Sequence, residues 1–113
     1  MNKKERVYAA IHFKETDEIP YSFWSHLPGI DLDATKLAQT TYEFYKTYDL
    51  DFIKTMNNGM YAIEDFGCTI DYSEIEQGGV AKITSSPIKT PQDWAKLRPC
   101  SINEGSLARE LDS

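Results

Sequence analysis

Residues able to bind a small polar ligand follow two predicted strands. His26 comes after the aromatic run at 21–24, and an imidazole can donate a hydrogen bond, accept one or bind a metal near neutral pH. Asn58 and Tyr61 come after the run at 52–56, where an amide and a phenol can hold a polar ligand. His26, Asn58 and Tyr61 are therefore the candidate substrate-binding residues.

The same residues also have structural interpretations. A histidine followed by Leu-Pro-Gly can simply hydrogen-bond within its loop. The sequence Asn-Asn-Gly at 57–59 can form a turn with a positive φ angle, because asparagine and glycine tolerate that conformation. Glu64 and Asp65 can form an acid–base pair or cap a short helix. The residues alone leave these alternatives open.

The first half of the chain predicts a helix, a strand, a second helix and a second strand. The first helix covers residues 2–13, with Asn2 as its N-cap, and the second covers about 32–48. The strands are predicted at 21–24 and 52–56, and Lys54 in the second must reach an edge or a partner acid. A helix between two strands can serve as the crossover between parallel strands. This order indicates an α/β protein with its candidate ligand site at the carboxyl ends of the strands.

The second half predicts a hairpin and two helices. Apolar and polar residues alternate from Cys68 to Thr84 around Gly78 and Gly79, which is typical of a β-hairpin. Residues 90–93, Thr-Pro-Gln-Asp, predict a helix start. A last helix is predicted to begin near residue 103 and has only about two turns before the given sequence ends. We therefore expect that the sequence stops in the middle of this helix.

Composition limits the function classes. The chain has 113 residues, 41% of them hydrophobic, and a net charge of −6, which is ordinary for a globular domain but unsuited to nucleic acid or an anionic membrane. Cys68 and Cys100 lack the spacing of a zinc finger or a disulfide framework. We expect a cytoplasmic protein without a leader peptide or membrane span.

Six segments, in order along the chain, point to a known family. They are residues 2–11 (NKKERVYAAI), 17–20 (DEIP), 48–54 (YDLDFIK), 64–67 (EDFG), 87–97 (PIKTPQDWAKL) and 103–105 (NEG). In these segments the chain resembles the N-terminal part of the uroporphyrinogen decarboxylase superfamily, which also contains corrinoid and coenzyme M methyltransferases. The resemblance implies a (β/α)8 TIM barrel, which needs about 250 residues. Residues 1–113 would then be the N-terminal fragment of one barrel domain, with about two βα units and a β-hairpin excursion.

The resemblance also narrows the reaction. Decarboxylases of the family carry arginines after the first strand and an aspartate after the second, and these places hold Ser25, Gly29 and Asn58 here. The resemblance therefore favours a methyltransferase-type, corrinoid-linked enzyme acting on a small substrate, with a corrinoid protein as a partner. The family's zinc-binding His-x-Cys pair and later Cys lie outside these residues, so zinc and a corrinoid are expected only for the intact enzyme. No catalytic or metal-binding residue is assigned within the chain.

Two alternatives remain at this stage. The chain can be a catalytically silent fragment or an interaction module, associating through open barrel edges. Alternatively, the intact protein can still be a uroporphyrinogen decarboxylase. In neither case do we expect nucleic acid or a membrane as a partner.

Overall fold

The computed structural model describes residues 1–113 and contains four α-helices and one two-stranded sheet. The helices are α1 (Lys3–Ile11), α2 (Ala34–Thr47), α3 (Tyr61–Glu64) and α4 (Gly105–Asp112). The strands are β1 (Thr69–Asp71) and β2 (Lys82–Ser85), and short 3-10 helices cover Ile30–Leu32, Ile75–Gln77 and Pro91–Lys96. None of the helices is long and apolar enough to cross a membrane.

Helix α1 begins with the predicted capping box. The Asn2 side chain accepts the backbone N–H of Glu5, and the Glu5 carboxylate accepts that of Asn2, both at 2.9 Å. Arg6 then ties the helix to the rest of the chain through Asp51, whose carboxylate it contacts at 2.5 Å. The Asp51 side chain is only 2% exposed, so this ion pair is largely shielded from solvent.

Helix α2 begins later than predicted. Asp33 is its N-cap and accepts the backbone N–H of Lys36 at 2.9 Å, whereas residues 30–32 form a separate 3-10 turn. The helix packs against the segment before it through an aromatic cluster of Phe23, Phe44 and Tyr48, with ring centroids 4.8–5.4 Å apart. Edge-to-face packing of this kind fixes the orientation of the helix.

Two extended segments lie next to each other in space. They cover residues 20–24 and 51–56, and α2 lies between them in the sequence. The backbone N–H of Asp51 donates to Tyr21 at 3.0 Å, and the Ser22 hydroxyl donates to the Phe52 carbonyl at 2.7 Å. The Lys54 ammonium lies 4.0 Å from the Trp24 ring centroid. Each partner is 30 positions further along the chain, as in the Ser22–Phe52 contact, and a constant separation means that the segments are parallel.

The strands predicted at 21–24 and 52–56 are not formed as a hydrogen-bonded sheet. One backbone hydrogen bond, from Asp51 to Tyr21, joins the two segments, and neither is a strand. A parallel pair of strands is less stable per residue than an antiparallel pair. Each of these two segments also has no extended neighbour other than its partner. The predicted order of helix, extended segment, helix and extended segment is nevertheless present.

The predicted hairpin is confirmed. Strands β1 and β2 pair antiparallel, with Ile70 opposite Ile83 and an irregularity between Thr69 and Ile70. A 3-10 turn at 75–77 lies in the connection, and Gly78 follows it with φ of +83°, a conformation that favours glycine.

The molecule is open. Only 6 of 113 residues are buried, and the radius of gyration is 18.5 Å, against about 13 Å for a compact domain of this length. Leu37 and Leu50 are the most buried apolar residues, whereas Phe13 is 99% exposed. These residues form no barrel by themselves, and the predicted membership of a (β/α)8 barrel stays a prediction.

Candidate functional site

A cavity of about 400 Å³ lies where the two parallel extended segments end. His26 follows the first segment and Asn58 follows the second, and both line this cavity. Tyr61 does not line it; this residue begins α3, is half-buried, and its backbone N–H donates to the Asn58 carbonyl at 3.3 Å. Two of the three candidate residues are therefore brought together, and the third is not.

Asn58 is buried, with 6% of its surface exposed, and its amide group is hydrogen-bonded to other groups of the protein. Its Nδ2 donates to Asp31 Oδ1 at 3.3 Å, and its Oδ1 accepts the backbone N–H of Met60 at 2.9 Å. None of residues 57–59 has a positive φ angle, so the alternative of a positive-φ turn is wrong. Asn58 instead holds its loop with its own side chain and orients Asp31.

Tyr72 joins the cavity to a polar network that reaches α4. Its hydroxyl lies 2.8 Å from Glu64 Oε1 and 3.3 Å from Asn58 Oδ1, and its one proton is best placed for the shorter contact. Burial, and then the Glu64 carboxylate, raise the pKa of Tyr72 well above its usual value. Glu64 also accepts the Ser106 hydroxyl at 2.6 Å. The network therefore keeps the Tyr72 phenol protonated.

Glu64 and Asp65 do not form an acid–base pair. The Asp65 carboxylate accepts the backbone N–H groups of Ser106 and Leu107, both at 2.8 Å, and so caps the first turn of α4. The N–H groups of Leu107 and Ser106 lower the pKa of Asp65. Of the two alternatives, capping is the one formed, although the capped helix lies about forty residues further along the chain.

Helix α4 holds the loop after the second extended segment from the other side. Asn57 donates to Glu110 Oε2 at 2.9 Å, and Arg109 contacts Glu110 Oε1 at 2.8 Å and Glu64 at 3.6 Å. Burial works to lower the pKa of Arg109, but the hydrogen bond and charge of Glu110, followed by Glu64, raise it overall. The Arg109 guanidinium is thus held in place by ion pairs with these two carboxylates.

His26 is exposed at the rim of the cavity. Within this loop the Ser25 hydroxyl donates to the His26 carbonyl at 3.2 Å, while the imidazole makes no hydrogen bond to the protein. The ring is thus available to a ligand. Lys54 is also exposed, and its ammonium packs on the Trp24 ring and not against a partner acid.

A larger cavity of about 720 Å³ lies beside the start of α4, and most of its charged groups have partners within the chain, whereas the exposed Glu104 side chain has none. Asp65 caps α4, Lys96 pairs with Asp93 at 2.6 Å, and Arg98 donates to two nearby carbonyls at 3.0 and 3.1 Å. These contacts hold the local backbone and engage four of the five charged side chains that line the cavity.

The residues of the chain do not fit a zinc site. No group of three or more His, Cys, Asp or Glu side chains is arranged to hold a metal ion, and both cysteines are free. Cys100 Sγ instead donates to the Asp65 carbonyl at 3.2 Å. We therefore derive no chemical step through a metal held by these residues.

The chain matches no family model, no curated protein and no solved structure. The superfamily resemblance therefore rests on the six sequence segments alone.

No sequence pattern marks Asp31 or Tyr72 as a cavity residue. Asp31 reads as an acid near the start of a helix, and Tyr72 reads as one apolar position of a hairpin. Their contacts with Asn58 span 27 and 14 positions, beyond the range of local patterns.

Proposed function

We propose that the chain is the N-terminal part of a barrel enzyme of the uroporphyrinogen decarboxylase superfamily. In this proposal the intact protein carries out corrinoid-linked methyl transfer on a small substrate. The observation that carries the proposal is the position of the cavity at the carboxyl ends of two parallel segments connected by a helix. Barrel enzymes place their active sites at that end of their strands.

The residues that line the cavity favour a reaction on a small molecule over the decarboxylation of a porphyrinogen. A substrate with many carboxylates requires cationic partners, ideally arginines that bind in a bidentate manner. The cavity is lined by neither lysine nor arginine, and Ser25 and Gly29 stand where the family's decarboxylases carry arginines. Uroporphyrinogen decarboxylase activity is accordingly the less favoured alternative.

The size of the cavity bears on the cofactors. In this proposal the cavity, whose volume of about 400 Å³ lies within the range of small-molecule sites, holds the small substrate and not the corrinoid. A corrinoid would then be carried by a partner protein that presents it to the barrel. Zinc, which supplies an activated thiolate in the methyltransferase branch, would be held by residues outside this chain.

The residues of this chain would bind and orient the substrate. His26, with an imidazole free of protein partners, would contact the ligand directly. Asn58 would act as a positioning residue, because its amide already orients Asp31 and the Met60 backbone. Tyr61 would have no direct contact with the ligand.

The test is an assay of the intact protein for demethylation of methylcobalamin and for zinc content. We expect His26→Ala and Asn58→Ala to lower both activity and substrate affinity. His12→Ala is the matched control, since His12 is exposed at the end of α1 and its ring contacts only the Tyr8 carbonyl, at 2.7 Å, and the Tyr8 ring. If activity and affinity were unchanged in both cavity variants, the site assignment would be wrong.

A second candidate function is a catalytically silent interaction module, and the open apolar surface favours it. Phe13, Ile19 and Val80 are 99%, 86% and 70% exposed, which is unusual for large apolar side chains of a stable monomer. An intact mass of the natural product separates the two candidates. A folded, monomeric natural product of 113 residues would exclude the barrel enzyme for this chain.

A further inference from the structure

We infer that the cavity at the ends of the two parallel segments selects a small organic cation, such as a primary ammonium, over a carboxylate of the same size. This inference deepens the proposed function and rests on it, since it names the substrate class of the same site. It depends on Asp31, on the polar groups around it and on the absence of a cation from the cavity wall.

Asp31 is the only acidic or basic side chain, histidine aside, that lines the cavity. The residue is 8% exposed, forms no ion pair, and receives one hydrogen bond, from Asn58 Nδ2 to Oδ1 at 3.3 Å. Its Oδ2 accepts no hydrogen bond from the protein. Because every fully buried side-chain oxygen and nitrogen has a partner, Oδ2 retains accessible surface, and the cavity is the space that Asp31 lines.

Beside Asp31, the Tyr72 phenol oxygen keeps acceptor capacity, while His26 at the rim is the side chain of the wall whose ring has no protein partner. The Tyr72 proton is directed to Glu64 at 2.8 Å, which leaves the phenol oxygen with acceptor capacity. One of the two N–H groups of Asn58 Nδ2 is given to Asp31. A ligand with several N–H donors and a positive charge matches these acceptors and the unpaired Asp31 carboxylate, whereas a carboxylate would be placed beside a like charge.

No protein cation neutralises Asp31. Arg109, the half-buried cation of the network around Glu64, contacts Glu110 at 2.8 Å and Glu64 at 3.6 Å and is not part of the cavity wall. A carboxylate shielded from water loses hydration, and an ammonium bound beside it restores favourable charge pairing. Apolar side chains of Ile75 and Val80 also line the cavity and can accept a short alkyl chain.

The experiment uses the intact protein that contains this chain, and three ligands with three carbon atoms each: propylammonium, 1-propanol and propionate. Binding is followed by ¹H–¹⁵N NMR through the amide signals of Asp31, Asn58 and Gly59. We expect propylammonium to shift these signals in a saturable manner, and propionate to leave them unchanged. 1-Propanol should bind about tenfold more weakly than propylammonium, or worse, because it lacks the charge.

Asp31→Asn keeps the size of the side chain and an oxygen for Asn58, and we expect it to weaken propylammonium binding about tenfold or more. Asp33→Asn is the matched control, since it removes the same charge two positions away while asparagine still caps α2. Equal binding of propionate, or unchanged affinity in Asp31→Asn, would overturn the inference. Should Asp31→Asn fail to fold, the selectivity of the unmodified chain among the three ligands decides.

The failure of this inference can be told apart from failure of the proposed function. Methyl transfer by the intact protein without cation selectivity in the cavity would overturn only the inference. Selective binding of propylammonium that depends on Asp31, in an intact protein without methyl-transfer activity, would uphold the binding preference and refute the proposed reaction.

Discussion

The carboxylate of Asp65 fills the space that a side chain on Gly105 would need. Gly105 has φ of +71°, and a Cβ atom at this position would overlap Asp65 Oδ1. The same carboxylate accepts the N–H groups of Ser106 and Leu107, so the absence of a side chain at 105 allows the cap to form. One contact thereby joins the loop after α3 to the start of α4.

Gly105→Ala should destabilise the chain for two reasons, an unfavourable φ and the clash with Asp65. The backbone strain alone costs about 1–3 kcal/mol. Gly78→Ala is the matched control, because Gly78 has φ of +83° but open space around its Cα. We expect urea unfolding to show a larger loss for Gly105→Ala than for Gly78→Ala, and equal losses would mean that the contact with Asp65 is not formed.

Asp93 should make the start of the 3-10 helix at Pro91–Lys96 sensitive to acid. Lys96, and then the backbone N–H groups of Lys89 and Thr90, lower the pKa of Asp93 from 3.8 to about 2. A carboxyl whose pKa is lower in the folded chain stabilises it above pH 3.8, and this contribution is lost as the pH falls towards 2.

An NMR titration of the Asp93 carboxyl carbon and the Thr90 amide measures this effect directly. Both signals should move together below pH 3.8. Lys96→Met should raise the pKa of Asp93, because it removes the largest cause of the shift. An Asp93 carboxyl that titrates at its ordinary value in the unmodified chain would contradict the capping contact.

Tyr72 should ionise at higher pH than an unperturbed tyrosine side chain. Burial raises its pKa, and the hydrogen bond to Glu64 adds to that effect. A group with a raised pKa in the folded state stabilises that state below its unfolded pKa, so this contribution is lost as the pH rises above about 10. Ultraviolet titration should show one late-ionising tyrosine, which disappears in Tyr72→Phe.

Glu64→Gln separates the two causes of the Tyr72 shift. The substitution keeps a hydrogen-bond acceptor but removes the charge, so the pKa of Tyr72 should fall while remaining above its usual value because of burial. A pKa of Tyr72 that is unaffected by Glu64→Gln would show that the 2.8 Å contact is absent in solution.

Arg6→Met should destabilise the attachment of α1. Arg6 contacts Asp51 at 2.5 Å, Glu18 at 2.7 Å and Asp17 at 2.8 Å, and its loss leaves the shielded Asp51 carboxylate without a cation. Lys4→Met removes an exposed positive charge from the same helix and is the matched control. We expect the urea midpoint to fall in Arg6→Met and to stay unchanged in Lys4→Met; equal midpoints would refute a role for the ion pair.

The isolated chain should be marginally stable or should associate. With 6 of 113 residues buried, it lacks the apolar burial that offsets the entropy of an ordered chain. Light scattering coupled to gel filtration should show species larger than a 12.9 kDa monomer, or thermal unfolding should be broad. A monodisperse monomer with one sharp, cooperative transition would contradict this expectation.

Local signals in the sequence predict much of this fold. Asn2 and Thr90 stand at the starts of helices as predicted, since a cap depends on residues three positions apart. The alternation of apolar and polar residues around Gly78 predicts the hairpin, because it too is a pattern between residues close together in the sequence. The start of α2 is displaced because Asp31, which resembles a helix-start acid, turns inward to meet Asn58.

Long-range contacts explain what sequence patterns could not predict. Asp65 caps a helix 41 positions away, and Asn57 meets Glu110 across 53 positions. No periodicity in the sequence encodes contacts across such separations. The sequence therefore predicts Asn58 as a ligand-binding amide, whereas its side chain is hydrogen-bonded to Asp31 and to the Met60 backbone. His26 needs no such contact, and its position at the rim follows from the end of the preceding segment alone.

The constant separation of 30 positions between the two parallel segments has a consequence for insertions and deletions. A residue lost from the loop at 27–30 would shorten the connection but leave Tyr21 beside Asp51. A residue lost between Tyr21 and Trp24 would turn Trp24 to the opposite side and take it away from Lys54, because successive side chains of an extended chain alternate. Length variation among natural versions of this protein should therefore fall in the loop and spare the segment.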